Sequence, residues 1–234
     1  MKVLTIIITA LGFLTTQASH AQTIINSVPH TISASGTYAL GKNLSYGGAA
    51  NAITITASDV TLDFAGHRLI ATNSASGTKG VAFTQGNQSD VTIKNGTIEN
   101  FTYGVSVNAG IGGQAYTAIT VQDMRIYAII AVQIAGGSGC TVQRNLILST
   151  SSGGTLIDIF NGQGPNFVRD NQAYGNPTDA IVFSDAPAPS YFENNFVVNG
   201  LTGFALSNDK YRFNVTDLCS TAYSGGTPLN GSSN

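Results

Sequence analysis

A short segment recurs along this chain, and no other feature limits its fold as strongly. Val60-Thr-Leu-Asp-Phe64, Val91-Thr-Ile-Lys-Asn95, Ile119-Thr-Val-Gln-Asp123, Cys140-Thr-Val-Gln-Arg144, Asn166-Phe-Val-Arg-Asp170, Ser190-Tyr-Phe-Glu-Asn194 and Tyr211-Arg-Phe-Asn-Val215 align without gaps. Their third residues, Leu62, Ile93, Val121, Val142, Val168, Phe192 and Phe213, are all apolar and lie 21 to 31 residues apart. A second series follows within each unit: Val81-Ala-Phe83, Val105-Ser-Val107, Val132-Gln-Ile134, Ile157-Asp-Ile159, Ile181-Val-Phe183 and Phe204-Ala-Leu206. Both series alternate apolar and non-apolar positions with period two, the mark of a strand. The Gly, Asn, Ser and Thr clusters between them mark turns. Two such short strands per ~25 residues cannot stand alone, but stacked on their copies they bury a continuous core.

The repeats therefore predict an all-β solenoid, a parallel β-helix in which each unit is one coil. An antiparallel sandwich also has short strands between turns. The coil is favoured because the order of the two series never reverses and length varies in the turns. Seven coils at ~4.8 Å each make a rod about 34 Å long. One predicted inward stack is Leu62 to Phe213 through the third residues above. The other is Phe83-Val107-Ile134-Ile159-Phe183-Leu206.

The residues after the first stack should point outward, and Asp63, Lys94, Gln122, Gln143, Arg169, Glu193 and Asn214 are all polar. Asp63 is expected beside Lys94 and Arg169 beside Glu193, as weak surface ion pairs. Asn145, Asn171 and Asn195 each follow an apolar-x-x pattern. An amide has donors and acceptors to bond its copies above and below, so these three are expected to form a structural ladder. The outward series of the second strand is Ala82, Ser106, Gln133, Asp158, Val182 and Ala205.

Composition fits this architecture and excludes others. Only 9% of residues are charged and 42% are hydrophobic, too apolar for a disordered chain. The formal net charge of −2 offers no basic field for a phosphate backbone, so nucleic acid is not an expected partner. Met1 to Ala21 carries Lys2, a short apolar stretch and a small-x-small site, the pattern of a cleaved secretory signal. Its apolar stretch is shorter than a membrane span needs, and none follows. The expected organisation is a signal at 1–21, an entry segment and cap at 22–50, the β-helix at 51–215, and a terminal cap and tail at 216–234. The expected location is periplasmic or extracellular.

Val60-Thr-Leu-Asp-Phe-Ala-Gly-His67 with Leu69-Ile70, Val91-Thr-Ile-Lys-Asn-Gly-Thr-Ile98 and Asn100-Phe-Thr-Tyr-Gly-Val105 resemble the repeats of the right-handed parallel β-helix proteins of the pectin-lyase-like superfamily. Thr31 to Leu40 and Ala52 to Ile55 are similar to the entry coil of exported bacterial members. The resemblance covers about residues 28–215. It implies a right-handed fold and a field of activities that includes polysaccharide lyases, glycoside hydrolases, epimerases, tailspikes and copper-delivery proteins. The catalytic signatures of those enzymes are missing: there is no adjacent Asp pair, no Gly-His-Gly, no Arg-x-Lys and no Asp-Pro-His.

Candidate functional residues are accordingly few. Asp158, Asp179 and Asp185 lie near the second strand; carboxylates can serve as acid and base or ligate Ca²⁺, although Asp in Asn-rich turns more commonly bonds backbone. Tyr103, Tyr116, Tyr127 and Tyr174 could stack on sugar rings. His67 is a candidate ligand or base whose more ordinary role is a turn cap. Cys140 should face the core about three coils from Cys219, too far to pair, so both are expected to be free thiols. Two functions follow. The first is a non-catalytic module contacting polysaccharide or a cell-envelope surface, without a cofactor. The alternative is a lyase or hydrolase of uronic-acid polymers built around the three Asp.

Overall fold

The computed structural model describes residues 21–73, 76–108, 115–185 and 187–229. The expected signal, apart from Ala21, and the end of the tail from 230 lie outside them. The described chain is a parallel β-solenoid of about seven turns, and no helix occurs among the described residues. Each coil carries three strands, one more than the repeats disclosed. The first sheet stacks Gly36–Leu40, Val60–Asp63, residues 91–94 and 119–122 of two long strands, Thr141–Gln143, Phe167–Arg169, Tyr191–Glu193 and Lys210–Arg212. The second stacks Leu44–Tyr46, Arg68–Ala71, residues 97–99 and 125–128, Leu146–Ser149, Gln172–Tyr174, Phe196–Val198 and Val215–Asp217. The third runs from His30–Ile32 through Asn51–Ile55, Lys79–Phe83, residues 103–107 and 132–135 of the two long strands, Thr155–Phe160, Ala180–Asp185 and Thr202–Leu206 to Thr221–Ser224.

Every pairing is parallel, and the first inward stack holds register from Leu62 through Ile93, Val121, Val142, Val168 and Phe192. All six are buried. The next rung is Tyr211, not Phe213. Phe213 sits at the following corner, exposed, with φ 54. The alignment by third residue slipped because the last unit is shorter by two positions. Arg212 therefore takes the outward place expected for Asn214 and pairs with Glu193 at 2.9 Å. Arg169 instead donates from Nε to Gln143 at 2.9 Å, while Lys94 meets Asp63 at 3.6 Å as expected.

The third sheet contains a second correction, by one residue. Val182 pairs with Ile157 and Phe204 on the buried side, and Phe183 aligns with the outward Asp158 and Ala205. Ser184 occupies the buried rung between Ile159 and Leu206. A six-residue strand, Ala-Ile-Val-Phe-Ser-Asp, presents apolar residues at both parities, so period two alone could not choose between them.

The corner between first and second sheets explains the abundance of Asn and Asp. It is turned by one residue in the left-handed region: Ala65, Asn95, Asp123, Arg144, Asp170, Asn194 and Phe213 all have φ of 52 to 63. Asn and Asp tolerate that region because their short polar side chains bond locally. The next residue forms the ladder. Asn145, Asn171, Asn195 and Asn214 each accept a backbone N–H from the coil before, at 2.9 to 3.1 Å, the donors being Met124, Asn145, Asn171 and Asn195. Each Nδ2 also donates to a carbonyl, of Val121, Val142, Val168 and Phe192 respectively. The ladder is thus one rung longer than expected. It does not extend earlier: the buried, apolar Met124 holds the place before Asn145, and one coil further a Cβ on Gly96 would lie 2.1 Å from the Phe64 Cβ.

Candidate functional site

Of the three Asp singled out, Asp179 is fully buried. Its Oδ1 accepts the Gly154 N–H at 3.0 Å and its Oδ2 the Asn176 N–H at 2.7 Å. Both oxygens are committed to holding a corner, where no substrate reaches them. Asp158 and Asp185 share the outward side of the third sheet on neighbouring strands, offset by two residues, since Asp158 pairs with Phe183 and Phe160 with Asp185. Asp185 is exposed and accepts from the Ser207 hydroxyl at 3.2 Å.

Asp158 ends a hydrogen-bonded row. Ser106 Oγ donates to Gln133 Oε1 at 3.2 Å, and Gln133 Nε2 donates to Asp158 Oδ2 at 3.2 Å. Burial pushes the Asp158 carboxyl above the usual range, and the Gln133 bond partly offsets this. Gln133 was read as a neutral outward residue; its role as the link to Asp158 needed the register to be seen.

The candidate aromatics divide between faces. Tyr103 lies on the third sheet with the Lys79 ammonium 5.7 Å from its ring centre. Tyr116 is wholly buried, in edge contact with Phe83 at 5.7 Å, and belongs to the core. Tyr127 and Tyr174 come together. They occupy one outward row of the second sheet, Tyr127-Leu148-Tyr174-Val198. Beside it runs a second outward row, Arg125-Leu146-Gln172-Phe196-Val215. The Tyr174 and Phe196 rings meet edge to face at 6.3 Å.

Both outward rows of this face are largely apolar. The first sheet shows water Thr61, Thr92, Thr120 and Thr141, and the same row runs on to Phe167 and Tyr191, whose rings stack at 5.6 Å. The second shows a strip of Tyr, Leu, Phe and Val. Tyr127, Leu146, Leu148, Tyr174, Phe196 and Val198 are half-buried there, and Val215 is exposed. The sequence signal was present in Leu146-Ile-Leu148 and Phe196-Val-Val198: three apolar residues in succession where a half-buried strand should alternate.

A groove of about 350 Å³ opens at the corner between second and third sheets, lined by Thr72, Thr78, Asn100, Thr102, Thr150 and Ser151 over Phe101 and Ile129. Its lining has hydroxyls and an amide but no ionisable side chain, so it can hydrogen-bond a ligand and cannot move a proton for it. The His67 backbone N–H closes a turn, donating to the Phe64 carbonyl at 2.8 Å. Cys140 is buried and Cys219 partly exposed, both free, and burial pushes the Cys140 thiol up to about 11. Among the described residues no three His, Cys, Asp or Glu side chains gather to hold a metal ion. Set against known proteins, the chain matches no family model, no curated protein and no solved structure.

Proposed function

We propose that this chain is an exported, non-catalytic module of the pectin-lyase-like type that contacts carbohydrate or a carbohydrate-bearing surface. The observation that carries the reading is the outward strip of the second sheet, where Tyr127 and Tyr174 share a row with Leu148 and Val198. Tyr offers an apolar ring and a polar tip, which suits the amphipathic faces of sugars. The coil repeats and the leader pattern support the family and the export. The test is affinity electrophoresis through a panel of polysaccharides, with the Tyr127→Ala/Tyr174→Ala double variant beside the wild type. Retardation by at least one polymer, relieved in the double variant, is expected. Migration unchanged by every polymer overturns the reading.

One observation favours an enzyme acting on uronic-acid polymers: Asp158, with its raised carboxyl, has Asp185 diagonally beside it on the next strand. At ~4.8 Å between strands and ~3.3 Å per residue, that diagonal is about 8 Å, within the ~6.5–9.5 Å of an acid–base carboxylate pair. Release of reducing ends or unsaturated sugars, with or without Ca²⁺, and its loss in Asp158→Asn would replace the binding reading with this one.

A further inference from the structure

We infer that the strip on the second sheet takes a single extended strand of a neutral, β-linked polysaccharide, lying along the solenoid axis with its sugar faces on Tyr127 and Tyr174. The inference rests on the carbohydrate reading above and goes on to name the polymer, its charge and its direction.

Three features select this occupant. The first is size. The strip spans the strands from residues 125–128 to Val215–Asp217 and is two outward rows wide. At ~4.8 Å per coil and ~3.3 Å per residue it is about 20 Å long and 10 Å across. Such an area is far below the ~800 Å² per partner of a stable protein pair. It fits a narrow linear ligand, not a second globule.

The second is charge. Tyr127, Leu146, Leu148, Tyr174, Phe196 and Val198 carry none, and the polar groups between them are the two tyrosine hydroxyls and the Gln172 amide. Charged groups stand at the borders: Arg125 and Asp217 at the two ends, and Glu99 already bound to Arg68. An acidic sugar at each repeat would find a cation only at the Arg125 end and would lose hydration without return along the rest of the strip. A neutral sugar with equatorial hydroxyls presents two apolar faces and a polar rim, matching apolar rows flanked by tyrosine hydroxyls and an amide.

The third is spacing. Tyr127 and Tyr174 share a row with Leu148 between them, two coils apart. That separation is about 10 Å at the inter-strand distance, the length of one disaccharide in an extended β-linked chain. Alternate sugars, which present the same face, would each meet a tyrosine.

The experiment is isothermal titration of the full chain with soluble cello-oligosaccharides and, in a parallel arm, with oligogalacturonates. Size-exclusion chromatography is run on the same samples, and all variants are matched for melting temperature. The expected result is binding of the neutral oligosaccharide in preference to the acidic one. Tyr174→Ala should weaken it about tenfold or more, Tyr174→Phe much less, and Leu148→Glu should abolish it. Preference for the acidic ligand overturns the inference while leaving carbohydrate binding intact, as does neutral binding that Tyr174→Ala leaves unchanged. A dimer dissolved by Leu148→Glu overturns it in favour of a second copy on the strip. Binding to neither ligand overturns it as well; the polysaccharide panel above then tells whether carbohydrate binding falls with it.

Discussion

Replacing Asn171 with alanine tests the ladder at its middle. Asn171 Oδ1 accepts the Asn145 backbone N–H and the Asn145 Nδ2, both at 3.0 Å. Its Nδ2 donates to Val142 O at 2.9 Å and to Asn195 Oδ1 at 3.0 Å. After truncation, Asn145 Nδ2 keeps Val121 O, and Asn195 Oδ1 keeps the Asn171 backbone N–H. The Asn145 backbone N–H loses the acceptor that held it in a dry interior. An orphaned buried donor costs about 1–3 kcal/mol and each lost amide bond about 0.5–1.5 kcal/mol. The low end of that sum is about 3 kcal/mol, which for a chain of this size lowers Tm by at least about 6–12 °C. Thermal melting followed by circular dichroism measures it, with Asn214→Ala as the internal comparison. Asn214 ends the ladder and is 9% exposed, so water can replace part of what it supplies and its loss should be smaller. An Asn171→Ala protein that melts within a degree of wild type would refute the claim that the amides hold the coils together.

Phe213→Asn should raise Tm by a few degrees, because it puts a tolerant residue at a left-handed corner, φ 54, and removes an exposed ring; no gain in a melt means that the ring has a contact worth keeping. Asp209 is buried against the Ser190 and Ser207 N–H groups, and burial raises its carboxyl. A raised folded value means stability is full below the unfolded value and lost as pH rises through the folded one. Asp209→Asn should therefore flatten the fall in Tm between acid and neutral pH; an identical slope in both proteins counts against the assignment. Thiol titration of denatured, unreduced protein should find both cysteines, while in the native state at mildly alkaline pH Cys219 should be alkylated and Cys140, held protonated in the core, spared. Asp179→Ala should lower Tm, since Gly154 and Asn176 lose their acceptor, and any loss of binding should be restored by cooling below the new midpoint.

The solenoid was legible because inward rungs such as Leu62, Ile93 and Val121 repeat a single local pattern. The Asn ladder was legible because its chemistry recurs with its spacing. The strand of the second sheet was not. Leu69, Ile98, Ile126, Ile147, Ala173 and Val197 form its buried stack, but in Leu146-Ile-Leu148 and Phe196-Val-Val198 apolar neighbours on the solvent side erase the alternation. The feature that hid the strand is also the candidate site. Tyr127 and Tyr174 could be named from sequence as ring-bearing residues, yet their shared row follows from register across coils. Asp179 read as a candidate acid because type and position do not disclose that both its oxygens face backbone N–H groups.

Because Asn145 and Asn171 occupy equivalent places in adjacent coils, residues 145–170 form an excisable unit. Joining Arg144 directly to Asn171 would put a left-handed corner residue before a ladder amide, as at Asp170-Asn171, Asn194-Asn195 and Phe213-Asn214. It would also remove the rung that carries Leu148 and set Tyr127 next to Tyr174. Length in this architecture therefore changes in whole coils, each bringing its own corner residue and ladder amide.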